Sequence, residues 1–94
     1  MVIAELQMID HPKGNTSIQY GEDVTLTVSA IGPQPLAYRW MKDGQEVPDS
    51  NTDKLTIILF SSDNTGCYSC IVIGGQQSIE SKPASLELGM NLLT

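Results

Sequence analysis

Apolar and polar side chains alternate with period two in four stretches of the chain. Val24, Leu26, Val28 and Ala30 point one way and Thr25, Thr27 and Ser29 the other, the pattern of a strand with one buried face. The same parity runs through Leu55, Ile57 and Leu59, through Tyr68, Cys70 and Val72, and through Ala84, Leu86 and Leu88. Turn-forming residues bound these runs: Gly21-Glu22-Asp23, Gly32-Pro33-Gln34-Pro35, Lys42-Asp43-Gly44, the segment 61–66, and Gly74-Gly75. The pattern predicts strands over 3–9, 17–20, 23–30, 36–41, 45–47, 54–59, 67–73 and 77–88, with His11-Pro12 interrupting the first, because proline cannot donate to a ladder. No segment has helical periodicity with capping residues. Seven or eight short antiparallel strands with frequent turns indicate an all-β, two-sheet sandwich.

At 94 residues the chain fits one domain, 1–94, with its core over about 9–88 and the ends at Met1 and 89–94 reading as tail or linker. The run Ile57-Ile58-Leu59-Phe60 is far too short for a membrane span, so no membrane insertion is expected. The chain opens without a charged start and apolar stretch of the signal-peptide kind. Eleven acidic and five basic residues give a net charge of −6. The basic residues Lys13, Arg39, Lys42, Lys54 and Lys82 are scattered, whereas nucleic-acid binding needs several neutralised phosphates on one surface. Nucleic acid is therefore not an expected partner.

Catalytic chemistry has no foothold either. A serine or cysteine nucleophile needs a base within hydrogen-bonding reach, and the single histidine, His11, sits on a kinked edge segment. No enzyme activity, cofactor, metal or small-molecule substrate is expected. Cys67 and Cys70 have the Cys-x-x-Cys spacing of redox pairs and zinc half-sites. On a strand, three residues at about 3.3 Å each put the two Cα atoms roughly 10 Å apart with side chains on opposite faces. A disulfide tolerates only about 7 Å. The expectation is an inert, buried Cys70 and a more exposed Cys67. Two thiols that cannot pair locally indicate a reducing compartment, and a cytoplasmic location is expected. The opposing clue is Asn15-Thr16-Ser17, a formal glycosylation acceptor in the loop after Pro12, which would matter in an extracellular protein.

Six pieces in order resemble the immunoglobulin superfamily, of the intermediate (I-set) or C2-like type. They are Gly21-Glu22-Asp23-Val24-Thr25-Leu26, Gly32-Pro33-Gln34-Pro35, Tyr38-Arg39-Trp40-Met41-Lys42-Asp43-Gly44, Leu55-Thr56-Ile57, Gly66-Cys67-Tyr68-Ser69-Cys70 and Lys82-Pro83-Ala84-Ser85-Leu86. The resemblance implies an immunoglobulin-like sandwich in which Trp40 is the core tryptophan and Tyr68 the corner tyrosine, two residues before Cys70. It departs from the family pattern at three points. Val28 stands where the early cysteine of the inter-sheet bridge belongs, Asn64 stands where an aspartate is usual, and Trp40 and Leu55 are only fifteen positions apart. The structural core is therefore expected around Val28, Trp40, Tyr68 and Cys70, without a covalent pin.

If Tyr68, Cys70 and Val72 face inward, then Ile71 and Ile73 face outward, and Met41 does so beside Trp40. This predicts a candidate interface of Met41, Ile71 and Ile73, with the loops 32–36 and 74–77, including Gly74 and Gly75, as a second recognition region. The register at Gly74-Gly75 leaves open whether Ile79 joins them. The expected function is a non-catalytic protein–protein interaction module, or a self-associating one, of a larger intracellular signalling or scaffold protein. The resemblance allows two such settings, the tandem domains of giant muscle proteins and the modules of signalling paracaspases. The alternatives are an extracellular adhesion or receptor domain that lacks the bridge, and a structural spacer in a tandem array.

Overall fold

The computed structural model describes residues 5–89, so residues 3 and 4 of the first expected strand, Met1 and the tail 90–94 lie outside the described residues. Ten strand segments follow in chain order: β1 (Gln7–Asp10), β2 (Asn15–Ile18), β3 (Val24–Thr27), β4 (Ser29–Ile31), β5 (Leu36–Lys42), β6 (Gln45–Glu46), β7 (Lys54–Ile57), β8 (Gly66–Gly74), β9 (Gln77–Glu80) and β10 (Ala84–Leu88). One 3-10 turn, Ser62–Asn64, precedes β8.

The segments form two layers. In one, β1 pairs with β4 and β3 with β7, all antiparallel; β3 and β4 are one extended segment interrupted at Val28, whose N–H donates to the Asp53 carbonyl at 3.0 Å. In the other, the order is β2-β10-β8-β5-β6, with β9 beside β10 along the same edge of β8. β2 runs parallel to β10 and the remaining pairs are antiparallel. Counting β3 with β4 and β9 with β10, the ten segments are the eight strands that alternation predicts, and the architecture is the expected all-β sandwich.

The inward faces supply the core: Leu26 and Val28 from the first layer, Trp40, Tyr68, Cys70, Val72, Ala84 and Leu86 from the second. Trp40 and Cys70 are fully buried and Val28 is 4% exposed. The indole N–H of Trp40 donates to the Thr52 carbonyl at 2.8 Å, so the large side chain is buried without an orphaned donor. The Tyr68 hydroxyl donates to the Asn64 carbonyl at 2.6 Å, the corner bond the motif implies. Asn64, in place of the usual aspartate, serves a local role: its Oδ1 accepts from the Ser61 N–H at 2.9 Å in a capping box over the 3-10 turn.

Three expectations need correction. Leu59 does not continue the inward parity of Leu55 and Ile57; it is 69% exposed, and Phe60 is the buried residue. The cause is a φ of 52° at Leu59, which turns the chain by one register step. The strand expected over 77–88 is broken at 81–83. There Ser81 patches the ladder, its hydroxyl accepting from the Cys70 N–H at 2.9 Å and donating to the Lys82 carbonyl at 3.0 Å. Asn15 lies not in a loop but at the start of β2, exposed, with its Oδ1 accepting from the Ser17 N–H at 2.8 Å.

Candidate functional site

The outward face of the larger sheet is set by β5 and β8, the longest strands, in continuous register from Leu36↔Gly74 to Lys42↔Tyr68. Because alternate residues face outward, Ala37, Arg39 and Met41 of β5 lie across from Ile73, Ile71 and Ser69 of β8. On the far side of β8, Ile71 pairs with Glu80 and Ile73 with Ser78. On the far side of β5, Met41 pairs with Glu46. Met41, Ile71 and Ile73 are therefore brought together, each half-buried, down the middle of the sheet.

Polar groups surround them. The Arg39 guanidinium approaches Glu46 with Nε 3.6 Å from Oε2, and both side chains are more than half exposed. Such an exposed pair contributes about 0–1 kcal/mol. Ser69 donates its hydroxyl to Glu80 Oε2 at 2.6 Å. The result is a small apolar strip with hydrogen-bonded and charged side chains at its borders.

At one end of the strip, Gly74-Gly75-Gln76-Gln77 forms a two-residue hairpin, with Gly74 paired to Gln77. Gly75 has φ 59°, the glycine-demanding first position of a type II′ turn. This fixes the register, and Ile79 falls opposite the buried Val72, packed on the core and not on the outward strip. Gly74 is buried, and a Cβ there would meet the Pro33 carbonyl at 2.8 Å and Leu36 at 2.8 Å. It is the seat on which loop 32–36 packs; Gly75 is the exposed member of the pair.

At the other end, the Asp43-Gly44 turn, with both φ positive as a type I′ turn requires, is clamped to β8. The Asp43 N–H donates to the Cys67 carbonyl at 2.8 Å while its Oδ1 accepts from the Cys67 N–H at 2.9 Å. A Cβ on Gly66 would lie 2.6 Å from the same carboxylate, which explains a glycine at that point of the motif.

Cys67 is exposed, its sulfur 3.6 Å from the Ser85 hydroxyl, and Cys70 is buried; both are free thiols. Burial pushes the Cys70 thiol up to about 11, the neighbouring Asp53 charge adding to this and a backbone hydrogen bond at Arg39 opposing it. A group so raised is neutral and unreactive at neutral pH. His11, on the kinked edge segment, is half-buried, and its Nδ1 accepts from the Lys82 N–H at 3.0 Å. It ties the kink before Pro12 to the break in the β9–β10 edge. A groove of about 350 Å³ beside it is lined by Asp10, Lys13, Thr25 and Thr27. No group of three metal-ligating side chains lies together among the described residues.

Two layers of mainly antiparallel strands, a buried tryptophan, a tyrosine corner and no inter-sheet bridge define the class of the domain. The immunoglobulin domain family profile matches residues 8–73, and the chain belongs to that family. It is 32% identical over 78 residues to human HEPACAM family member 2, covering 76% of this chain and 17% of that protein. Among solved structures it resembles the N-terminal Ig1-2 module of the Drosophila receptor protein tyrosine phosphatase DLAR, with a TM-score of 0.81 and 23% identity over 96% of this chain and 48% of that one. It also resembles titin domains I67–I69, with a TM-score of 0.80 and 21% identity over 93% and 33%. A third match is Sidekick-1 immunoglobulin domains 1–5, with a TM-score of 0.82 and 18% identity over 94% and 19%. The chain thus spans about half or less of each of these relatives, and the structural likenesses define the fold alone.

Proposed function

We propose that this domain is a non-catalytic protein–protein interaction module within a larger protein, binding through the outward face of β5 and β8. The observation that carries this reading is the grouping of Met41, Ile71 and Ile73 on one surface, bordered by the Arg39–Glu46 and Ser69–Glu80 pairs. Apolar side chains at the centre and satisfied polar groups at the rim are the usual anatomy of such contacts. Gly75 and the loop around Pro33 extend the surface at one end.

The parent in this proposal is an intracellular signalling or scaffold protein. The two unpaired thiols support that setting, since a reducing compartment keeps thiols free. A second reading, an extracellular adhesion or receptor domain, is supported by the exposed Asn15-Thr16-Ser17 acceptor and by the likeness to a module of a receptor phosphatase. Glycosylation of Asn15 in the native protein, read by mass spectrometry of the peptide before and after enzymatic deglycosylation, separates the two. The interface itself is tested by replacing Ile71 and Ile73 with serine. Folding should be nearly unchanged and partner binding or self-association weakened at least tenfold; unfolding, or undiminished binding, would refute the assignment.

A further inference from the structure

Among the described residues, the most exposed large apolar side chains do not lie on the β5–β8 face. Tyr20 is 81% exposed, Leu59 69% and Ile58 64%, and all three belong to one end of the sandwich. Gln19-Tyr20-Gly21-Glu22 is a tight turn, closed by the Glu22 N–H to the Gln19 carbonyl at 3.0 Å, with Gly21 at φ 86°. The turn is stitched to the segment after β7. The Gly21 N–H donates to the Phe60 carbonyl at 2.8 Å and the Phe60 N–H to the Glu22 carbonyl at 2.9 Å, a bulge of the kind that begins with a left-handed glycine. Phe60 is driven inward at this point, and the two residues before it are turned out together.

That presentation is costly to the backbone. Leu59 is a branched, non-glycine residue at φ 52°, a conformation that glycine or asparagine adopts far more readily. The Asp23 carboxylate fixes it, accepting from the Leu59 N–H at 3.1 Å. A glycine here would relieve the strain and remove an exposed leucine at the same time, yet the chain carries leucine. Strain at a residue whose side chain is uncovered points to use of that side chain.

Charge identifies the occupant. Residues 18–23 and 57–65 carry Glu22, Asp23 and Asp63 and no lysine or arginine. Lys42 reaches this end from β5, its Nζ donating to the Asp63 carbonyl at 2.7 Å, which leaves three carboxylates against one ammonium on a chain of net charge −6. A second copy of this chain would bring carboxylates against carboxylates, and an anionic membrane would be repelled. We propose that the end formed by Tyr20, Ile58 and Leu59 is a docking surface for a cationic, apolar segment of a protein partner. It is a separate surface from that around Ile71 and stands or falls independently of it.

The probe is a hexapeptide alternating lysine and leucine, titrated into the 94-residue chain while backbone amide shifts are followed, with an alternating glutamate and leucine hexapeptide beside it. The account expects the lysine peptide to shift amides at 19–23 and 58–63, and to bind severalfold more weakly as salt rises from 50 to 500 mM, because the carboxylates are exposed and screened. Leu59→Gly, whose backbone suits its position, should fold normally and weaken binding at least tenfold. Glu22→Gln and Asp23→Asn, which keep their hydrogen-bond acceptors, should each weaken it two- to fivefold. Equal binding of both peptides, no binding, shifts centred on Ile71 and Ile73, or a dimer that Leu59→Gly abolishes would each overturn the proposal.

Discussion

Replacing Val28 with cysteine in a Cys67→Ser background should restore the bridge this domain lacks. Val28 and Cys70 belong to one buried cluster in opposite layers, together with Trp40. A bond between positions 28 and 70 closes a loop of about 40 residues, worth about 4 kcal/mol of denatured-state entropy. Shortening valine to cysteine removes roughly one methyl group from the core and costs about 1 kcal/mol. The net gain of about 3 kcal/mol corresponds to a rise in Tm of roughly 12–24 °C for a domain of this size. Because burial holds the Cys70 thiol up to about 11, the bond should form during refolding with oxidised glutathione rather than in the folded state. The assay is thermal unfolding of the oxidised and reduced protein, with the bridge verified by peptide mass. Failure of the disulfide to form, or an oxidised protein no more stable than the reduced one, would refute the pairing of these two positions across the sandwich.

Tyr68→Phe removes the hydroxyl bonded to the Asn64 carbonyl and should cost about 0.5–1.5 kcal/mol in denaturant unfolding, with no change of fold. Phe60→Ala should cost about 3–5 kcal/mol, whereas Leu59→Ala should cost little, a contrast that directly checks which of the two adjacent residues faces inward. Alkaline pH should destabilise the domain. The Cys70 thiol is neutral in the folded state up to about 11 but ionises near 9 when unfolded, so the unfolded state holds fewer protons in that window and stability falls as pH rises through it. In Cys70→Ala this component of the decline should vanish, as read by urea unfolding at a series of pH values. Gly66→Ala should destabilise and loosen the Asp43 turn, because its methyl group would press on that carboxylate at 2.6 Å.

The layers, the core trio of Val28, Trp40 and Cys70, and the outward grouping of Met41, Ile71 and Ile73 are legible in the chain because a strand has a period of two and one buried face. Legibility ends where the backbone leaves that period. Leu59 looks like a core residue by parity, and only its left-handed φ, which no local composition announces, hands the core position to Phe60. The side of Ile79 depends on whether the Gly74-Gly75 hairpin has a two-residue loop, a one-residue difference that reverses every side chain after it. The tie made by His11 is not legible, because its partner, the Lys82 N–H, is 71 positions away and is freed only by the strand break before Pro83. The acidic, apolar end around Tyr20 had a partial signal in Gly21-Glu22-Asp23, but its other half comes from a distant segment joined through the bulge at Phe60.

Native-state thiol labelling bears most directly on the central claim, that the two layers close over an indole and an unpaired thiol without a bridge. The account predicts that one cysteine, Cys67, reacts at once with a thiol reagent, while Cys70 reacts only as fast as the whole domain opens, its protection falling in step with stability as urea is added. Prompt labelling of both thiols in the folded protein, or of neither because they are oxidised, would contradict it.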